Sequence, residues 1–330
     1  MTVIYHPDYE KHLQHHGHPE SPDRLRAAVA KLKSEDLFNV RTPKPATDKE
    51  LGFVHLQSYI DEIRNFGEGN YDMDTYVRPE TFGIASLAAG GALLATKYSC
   101  ENGKPSFALL RPPGHHAGAD YAGGFCYFNN IAVGAQWLAM QKKKVAIVDI
   151  DVHHGNGTAD IFCDRADVLY ISTHLYGIYP GTGAASDTGE GDGKGFTVNI
   201  PFRSGCGDAS FKAAFDDIVE PVVAQFKPDA VLVSLGGDSH YRDTLGSLTL
   251  STPGYINLAR RLVKMAQGKC AFMLEGGYDV DALAEIIAGI VASFGGKEIP
   301  LKYTEVIDTD CAGRDIVKRV KEVQREFWKL

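Results

Sequence analysis

The residues best equipped for chemistry fall in a few short stretches. DVHHGNG (151–157) brings Asp151, His153 and His154 into a glycine-rich turn, and RPPGHHAG (111–118) carries the adjacent pair His115 and His116. GGDSHYRD (236–243) holds Asp238, and EGGYD (275–279) holds Tyr278. Carboxylates, imidazoles and a phenol are the side chains that bind divalent metals and move protons near neutral pH. Asp151 and His153 stand two positions apart, so extended backbone points both the same way. With Asp238 as a third donor, an ion would keep an open position from which to polarise a carbonyl and acidify water. The set has no thiolate, which suits zinc, iron or another borderline first-row ion, with zinc preferred.

Taken singly, each of these has an ordinary explanation. Asp-x-His after a strand is commonly a turn with a surface histidine, and adjacent histidines occur in plain loops. Asp238 could cap a helix, and Tyr278 could be a packed aromatic with a bonded hydroxyl. The argument for chemistry is their joint placement, and that depends on the elements in front of them.

Five apolar runs read as strands: SFALL (106–110), KVAIVDI (144–150), DVLYIST (167–173), AVLVSL (230–235) and CAFML (270–274). Each is rich in Val, Ile, Leu or Phe, as when helices cover both faces of a parallel strand. Four lead straight into the motifs above, and the fifth, 167–173, runs into THLYGIYPGTG. In an open α/β sheet ligands bind beyond the carboxyl ends of the strands, so all these side chains meet on one edge. Between the runs lie helical patterns: one opening at Ser21-Pro22-Asp23, one at 80–99, one opening at Thr252-Pro253, one at 280–294, and an amphipathic C-terminal one at 316–330. Strand–helix alternation predicts an α/β fold around a mainly parallel sheet. The glycine-rich 177–195 reads as a long loop, and no linker or repeat divides the chain. The expectation is one domain over 1–330, with 295–330 an extension of it.

The chain has 330 residues, 44% hydrophobic and 23% charged, the make-up of a soluble globular protein. No apolar run approaches the roughly 18 residues of a membrane span, and MTVIYHPDYEKH does not resemble a secretory signal. The expected location is the cytoplasm. A net charge of −8 argues against nucleic acid as the main partner and suits a cationic small molecule or lysine-rich peptide. The six cysteines form no CxxC pair, so neither a thiolate metal site nor a disulfide framework is signalled. Oligomeric state stays open: the segment around 60–80 could rim the site or meet a second subunit in a homo-oligomer.

Six ordered motifs, RPPGHHAG, GGFCYFNNIAV, VAIVDIDVHHGNGT, STHLYGIYPGTG, LVSLGGDSHYRDTLG and LEGGYD, resemble the histone deacetylase family from about Tyr5 to about Phe294. That group includes bacterial and archaeal deacetylases and acetylpolyamine amidohydrolases, and HPESPDRL and HHGNG look more like its class II branch. The resemblance implies the arginase–deacetylase fold with a sheet of about eight strands, and a zinc-dependent hydrolase that frees an amine, typically a lysine side chain, from its acetyl group. It assigns zinc to Asp151, His153 and Asp238, the tandem catalytic histidines to His115 and His116, and carbonyl polarisation to Tyr278. Asp149 matches the carboxylate behind His115. Behind His116 stands Asn156, where class I members have aspartate. On this reading His116 is the base, and His115 is the more readily cationic partner. Gly124, Phe125, Tyr179 and Leu245 match the substrate channel, and Arg24 and His18 its floor. A potassium site would involve Asp149, Asp151, His153, Ser172 and Thr173.

Three rival readings remain. An acetylpolyamine amidohydrolase would want a carboxylate where Leu245 stands, although Asp72 and Asp74 could hold an amine at the rim. A dinuclear arginase-type hydrolase would need bridging carboxylates where Gly155 and His240 stand. A catalytically silent acyl-lysine-binding module would be expected to lack the tyrosine or a ligand, and this chain has both.

Overall fold

The computed structural model describes residues 1–330. Ten strands follow in chain order: β1 (Thr2–Ile4), β2 (Val40–Arg41), β3 (Gly69–Asn70), β4 (Tyr76–Val77), β5 (Ser106–Ala108), β6 (Val145–Asp149), β7 (Val168–Leu175), β8 (Thr197–Phe202), β9 (Ala230–Leu235) and β10 (Cys270–Leu274). Eight of them form one sheet in the order β2-β1-β5-β10-β9-β6-β7-β8, and every pairing in it is parallel. β3 and β4 form a separate antiparallel hairpin.

The sequence dictates this layering. Every residue of β5, β6, β7, β9 and β10 is buried, which requires cover on both faces. Helices Asp23–Ser34 and Val280–Gly295 pack together, as do Thr81–Asn102 and Asn130–Ala139, and the latter two also lie against strands. A core of 76 buried residues runs through the sheet. A second cluster of 13, including Tyr59, Tyr127 and Phe128, supports the segment that carries the β3–β4 hairpin.

All five expected strands are present, with ends shifted by up to two residues. Three further strands of the main sheet carry too little pattern to be read. β1 and β2 have three and two residues, and β8 (TVNIPF) is interrupted by Asn199 and Pro201. Proline is tolerated there because β8 is an edge strand, paired with β7 alone. The C-terminal helix spans Arg314–Gln324, short of the expected 330; the turn beyond it lets the Trp328 indole donate to the Gly195 carbonyl at 2.9 Å. Helix Asn130–Ala139 is buried on nearly all sides, so it shows no amphipathic stripe. No helix is long and apolar enough to cross a membrane.

Candidate active site

The carboxyl ends of β5, β6, β9 and β10 are neighbours in the sheet, so the turns that follow them share one edge. Beyond β6 the chain is folded by its own aspartates. Asp149 Oδ1 accepts from the Asp151 amide at 3.1 Å, and Asp151 Oδ1 accepts from the His153 amide at 2.9 Å. Beyond β9, Asp238 Oδ1 accepts from the Val152 amide at 3.0 Å, and beyond β10 the Gly276 amide donates to Asp151 Oδ2 at 2.8 Å. Three separate turns are thus bonded to one another through two carboxylates.

These bonds bring Asp151, His153 and Asp238 together, one ligand atom from each lying within 4.8 Å of the others. His153 Nδ1 is 3.1 Å from Asp151 Oδ1 and 3.5 Å from Asp238 Oδ2. Asp238 Oδ2 is buried and has no hydrogen-bond partner. Burial and the neighbouring Asp151 charge push the Asp238 carboxyl up to about 7. Burial also opposes ionisation of Asp151, but the His115 and His153 imidazoles outweigh it and hold Asp151 well below the usual carboxylate range. Two buried carboxylates, one with an orphaned oxygen, and an imidazole nitrogen facing both are a donor set that fits a divalent cation. Two glycines make the cradle: a Cβ at Gly236 would lie 2.0 Å from Asp151 Oδ2, and one at Gly276 would lie 2.0 Å from Asp238 Oδ2.

His115 and His116 lie above this cluster with ring centres 4.1 Å apart. Their environments differ. His115 Nδ1 is 3.0 Å from Asp149 Oδ2, which also accepts from the Tyr170 hydroxyl at 3.1 Å. Burial alone would lower the His115 imidazole, but the Asp149, Asp151 and Glu275 carboxylates more than reverse that and raise it to about 10. His116 Nδ1 faces the neutral Asn156 Oδ1 at 2.8 Å. Burial, then the positive charge of His115, hold its imidazole well below the ordinary histidine value. The surroundings thus favour the cationic form of His115 and the neutral form of His116.

A cavity of about 250 Å³ opens onto these groups, lined among others by His115, His116, Asp151, His153 and Tyr278, with Gly124, Phe125, Tyr179 and Leu245 toward the mouth. Gly124 has φ +54°, and a Cβ there would fall 2.4 Å from His116 Cδ2 and 2.8 Å from Tyr179 Cε1, so only glycine leaves the passage open. Phe125 follows, also left-handed at φ 69°, its ring edge-on to Tyr278 at 6.2 Å. Burial and the Asp238 charge push the Tyr278 hydroxyl well above its ordinary value, so it keeps its proton and can donate.

Arg24 lies beneath Tyr278, its guanidinium 5.1 Å from the ring centre and its Nε donating to the Gly277 carbonyl at 2.6 Å. His18 packs edge-on against Phe125, their ring centres 4.6 Å apart. Asp149, Ser172 and Thr173 are fully buried, with Asp149 and Ser172 in register across β6 and β7. Ser172 Oγ lies 2.8 Å from His174 Nδ1, and the Thr173 hydroxyl donates to the Asp149 carbonyl at 3.3 Å.

Sequence reasoning missed Glu275. Its Oε2 accepts from the Gly114 and His115 amides at 2.7 and 3.2 Å, and its Oε1 from Ser234 at 2.9 Å, so it anchors the loop that carries both histidines. A buried glutamate closing an apolar strand was the available signal. Tyr121 and Asp160 were also missed, and nothing in their local sequence marks them.

Comparison with known proteins agrees with this geometry. Residues 18–294 match the histone deacetylase domain family. The chain is 38% identical to a probable deacetylase of Archaeoglobus fulgidus, covering 99% of this chain and 98% of that protein. It is also 38% identical to histone deacetylase 15 of Arabidopsis thaliana, over 99% of this chain and 61% of that protein. The crystal structure of the HDA15 HD domain superposes with a TM-score of 0.92 at 34% identity, over 99% of this chain and 97% of that one.

Proposed function

Since the chain belongs to the histone deacetylase family and is a deacetylase, a hydrolase acting on amides, we propose that it uses zinc to remove acetyl groups from lysine side chains of a protein or peptide. The observation that carries this reading is the convergence of Asp151, His153 and Asp238 at the end of a cavity that also exposes His116 and Tyr278.

Asp151, His153 and Asp238 would hold the zinc, which would supply Lewis acidity to polarise the amide carbonyl and make water easier to deprotonate. The remaining work falls to the chain itself. The walls formed by Phe125 and Tyr179 grip the extended aliphatic stem of the lysine and exclude water. His116, neutral, takes the proton from the attacking water. His115, cationic and held by Asp149, stabilises the negative charge that develops beside it and assists protonation of the departing amine. Tyr278 donates its hydroxyl hydrogen to the carbonyl oxygen as that oxygen gains charge. Asn156 orients His116 from behind.

The same reading includes a potassium ion among Asp149, Asp151, His153, Ser172 and Thr173, supported by the full burial of Asp149, Asp151, Ser172 and Thr173 and the register of β6 against β7. It treats 1–330 as one domain, supported by the one eight-stranded sheet and the 76-residue core that runs through it.

A second reading, an acetylated polyamine as substrate, has one feature in its favour: Asp74 lines the cavity beside Asp72, and burial and the Asp72 charge raise the Asp74 carboxyl. Leu245, apolar and 41% exposed at the mouth, favours acetyl-lysine because it offers no charge to a second amine. The central test is turnover of a fluorogenic acetyl-lysine peptide, abolished by a chelator and restored by zinc. Protein with full zinc occupancy that leaves the peptide intact overturns the proposal.

A further inference from the structure

Behind His116 a line of hydrogen bonds runs to the surface. Asn156 Oδ1 faces His116 Nδ1 at 2.8 Å, Asn156 Nδ2 donates to the Tyr121 hydroxyl at 3.2 Å, and that hydroxyl donates to Asp160 Oδ2. Asn156 and Asp160 lie one turn apart on helix Asn156–Phe162, and Asp160 is exposed. Tyr121 belongs to the loop after the tandem histidines, and that loop is shaped around it. The Gly118 amide donates to the Tyr121 carbonyl at 3.0 Å, and a Cβ at Gly118 would fall 2.1 Å from Tyr121 Cε1.

The direction of each bond is determined from the surface inward. A carboxylate only accepts, so Asp160 takes the single hydroxyl hydrogen of Tyr121. Burial and the Asp160 carboxylate raise that hydroxyl above its ordinary range, so it keeps the hydrogen it donates. Tyr121 can then only accept from residue 156, which turns the amide with Nδ2 outward and Oδ1 toward His116. An oxygen facing Nδ1 requires a hydrogen on Nδ1, and the neutral ring then carries its lone pair on Nε2. The amide turned the other way would present Nδ2 to Nδ1 and send the ring hydrogen to Nε2, where it blocks proton uptake. An aspartate at 156 would accept without help. An asparagine has a donor end and an acceptor end of nearly equal size, so it needs an outside reference.

We propose that Tyr121 and Asp160 are that reference: positioning residues that, through Asn156, hold His116 in the ring tautomer whose Nε2 can accept a proton during amide hydrolysis. The inference rests on the reading of His116 as the base.

The test is the ring-nitrogen NMR of zinc-loaded protein labelled with 15N-histidine, with His116 assigned by its loss in His116→Ala. The parent should show hydrogen on Nδ1 and a bare Nε2. Tyr121→Phe and Asp160→Asn should each shift His116 toward a mixture of tautomers and lower kcat about tenfold, with KM and zinc content unchanged. Asp160→Glu, which keeps a carboxylate, should retain the parent pattern. Should Tyr121→Phe fail to fold, the exposed Asp160→Asn decides alone. A parent ring with hydrogen on Nε2, or an Asp160→Asn variant with parental tautomer and kcat, overturns the proposal. A tautomer shift in protein that does not cleave acetyl-lysine would count against the substrate reading and leave this relay standing.

Discussion

Glu20 and Arg111 form a two-pronged ion pair, Nε 2.5 Å from one carboxylate oxygen and Nη2 2.9 Å from the other, with neither side chain exposed. Arg24 joins it, 3.0 Å from Glu20 Oε1, and reaches the Glu275 carbonyl at 2.5 Å. One buried carboxylate therefore ties HPESPDRL to the tandem-histidine loop and to the turn after β10.

Burial would raise the Glu20 carboxyl, but Arg111 and Arg24 more than reverse this and hold it at about 2, against an ordinary 4.5. A depressed folded-state value stabilises the fold by about 3 kcal/mol, fully present above pH 4.5 and lost as pH falls through 2. Glu20→Gln should cost roughly 3–5 kcal/mol at pH 7, because it leaves Arg111 buried without its counter-charge. Urea unfolding across pH should also show a shallower acid-side decline in the variant than in the parent. Equal stability at pH 7 would refute the role given to this pair.

Tyr278→Phe removes one hydroxyl from a position where the ring stays packed against Phe125 and Arg24. Turnover should fall about hundredfold or more, as for other lost oxyanion donors, with metal content unchanged. Near-parental kcat would mean that the carbonyl oxygen is stabilised elsewhere.

Asp238→Ala deletes the only carboxylate of the cluster with an orphaned oxygen. The purified variant should bind much less than one zinc per chain, and elemental analysis reads this without any assay of activity. Full stoichiometry would remove Asp238 from the ligand set.

Gly124→Ala introduces a Cβ 2.4 Å from His116 at a backbone angle that L-residues rarely adopt. The left-handed backbone alone is expected to cost about 1–2 kcal/mol in stability, and the clash with His116 adds to it. A fall in kcat/KM larger than that strain explains should accompany it, because the methyl group narrows the passage. Steady-state kinetics beside thermal melts separates the two effects, and an unchanged kcat/KM would show that substrate does not pass residue 124.

Substrate class is decided by comparing kcat/KM for an acetyl-lysine peptide and for N-acetylated polyamines under one set of conditions. With Leu245 at the mouth, the peptide should be preferred by about tenfold, the scale of one missing hydrogen bond. Preference for the polyamine would instead point to Asp72 and Asp74.

Much of this was legible in the sequence because it lies where patterns are strong. The five central strands are apolar on both faces, and four of them end in the motifs that meet at the site. β1, β2 and β8 were not legible: two are too short to show a period, and the third carries a proline that its edge position tolerates. Within the site, the residues read from the sequence are mostly those next to strand ends, whose place topology predicts; Glu275, directly after β10, was overlooked all the same. Tyr121 and Asp160 were not, since their importance lies in donor and acceptor directions across three elements, which no local spacing encodes. The ion network of Glu20, Arg24 and Arg111 escaped for the same reason, apart from the hint that HPESPDRL contributes to the floor.

β10, the last strand in chain order, sits between β5 and β9 in the middle of the sheet. Without residues 270–274, β5 and β9 each lack the neighbour that connects β2-β1-β5 to β9-β6-β7-β8. A product that stops before β10 would lack both the strand that joins the two parts of the sheet and Tyr278, and is expected to be inactive.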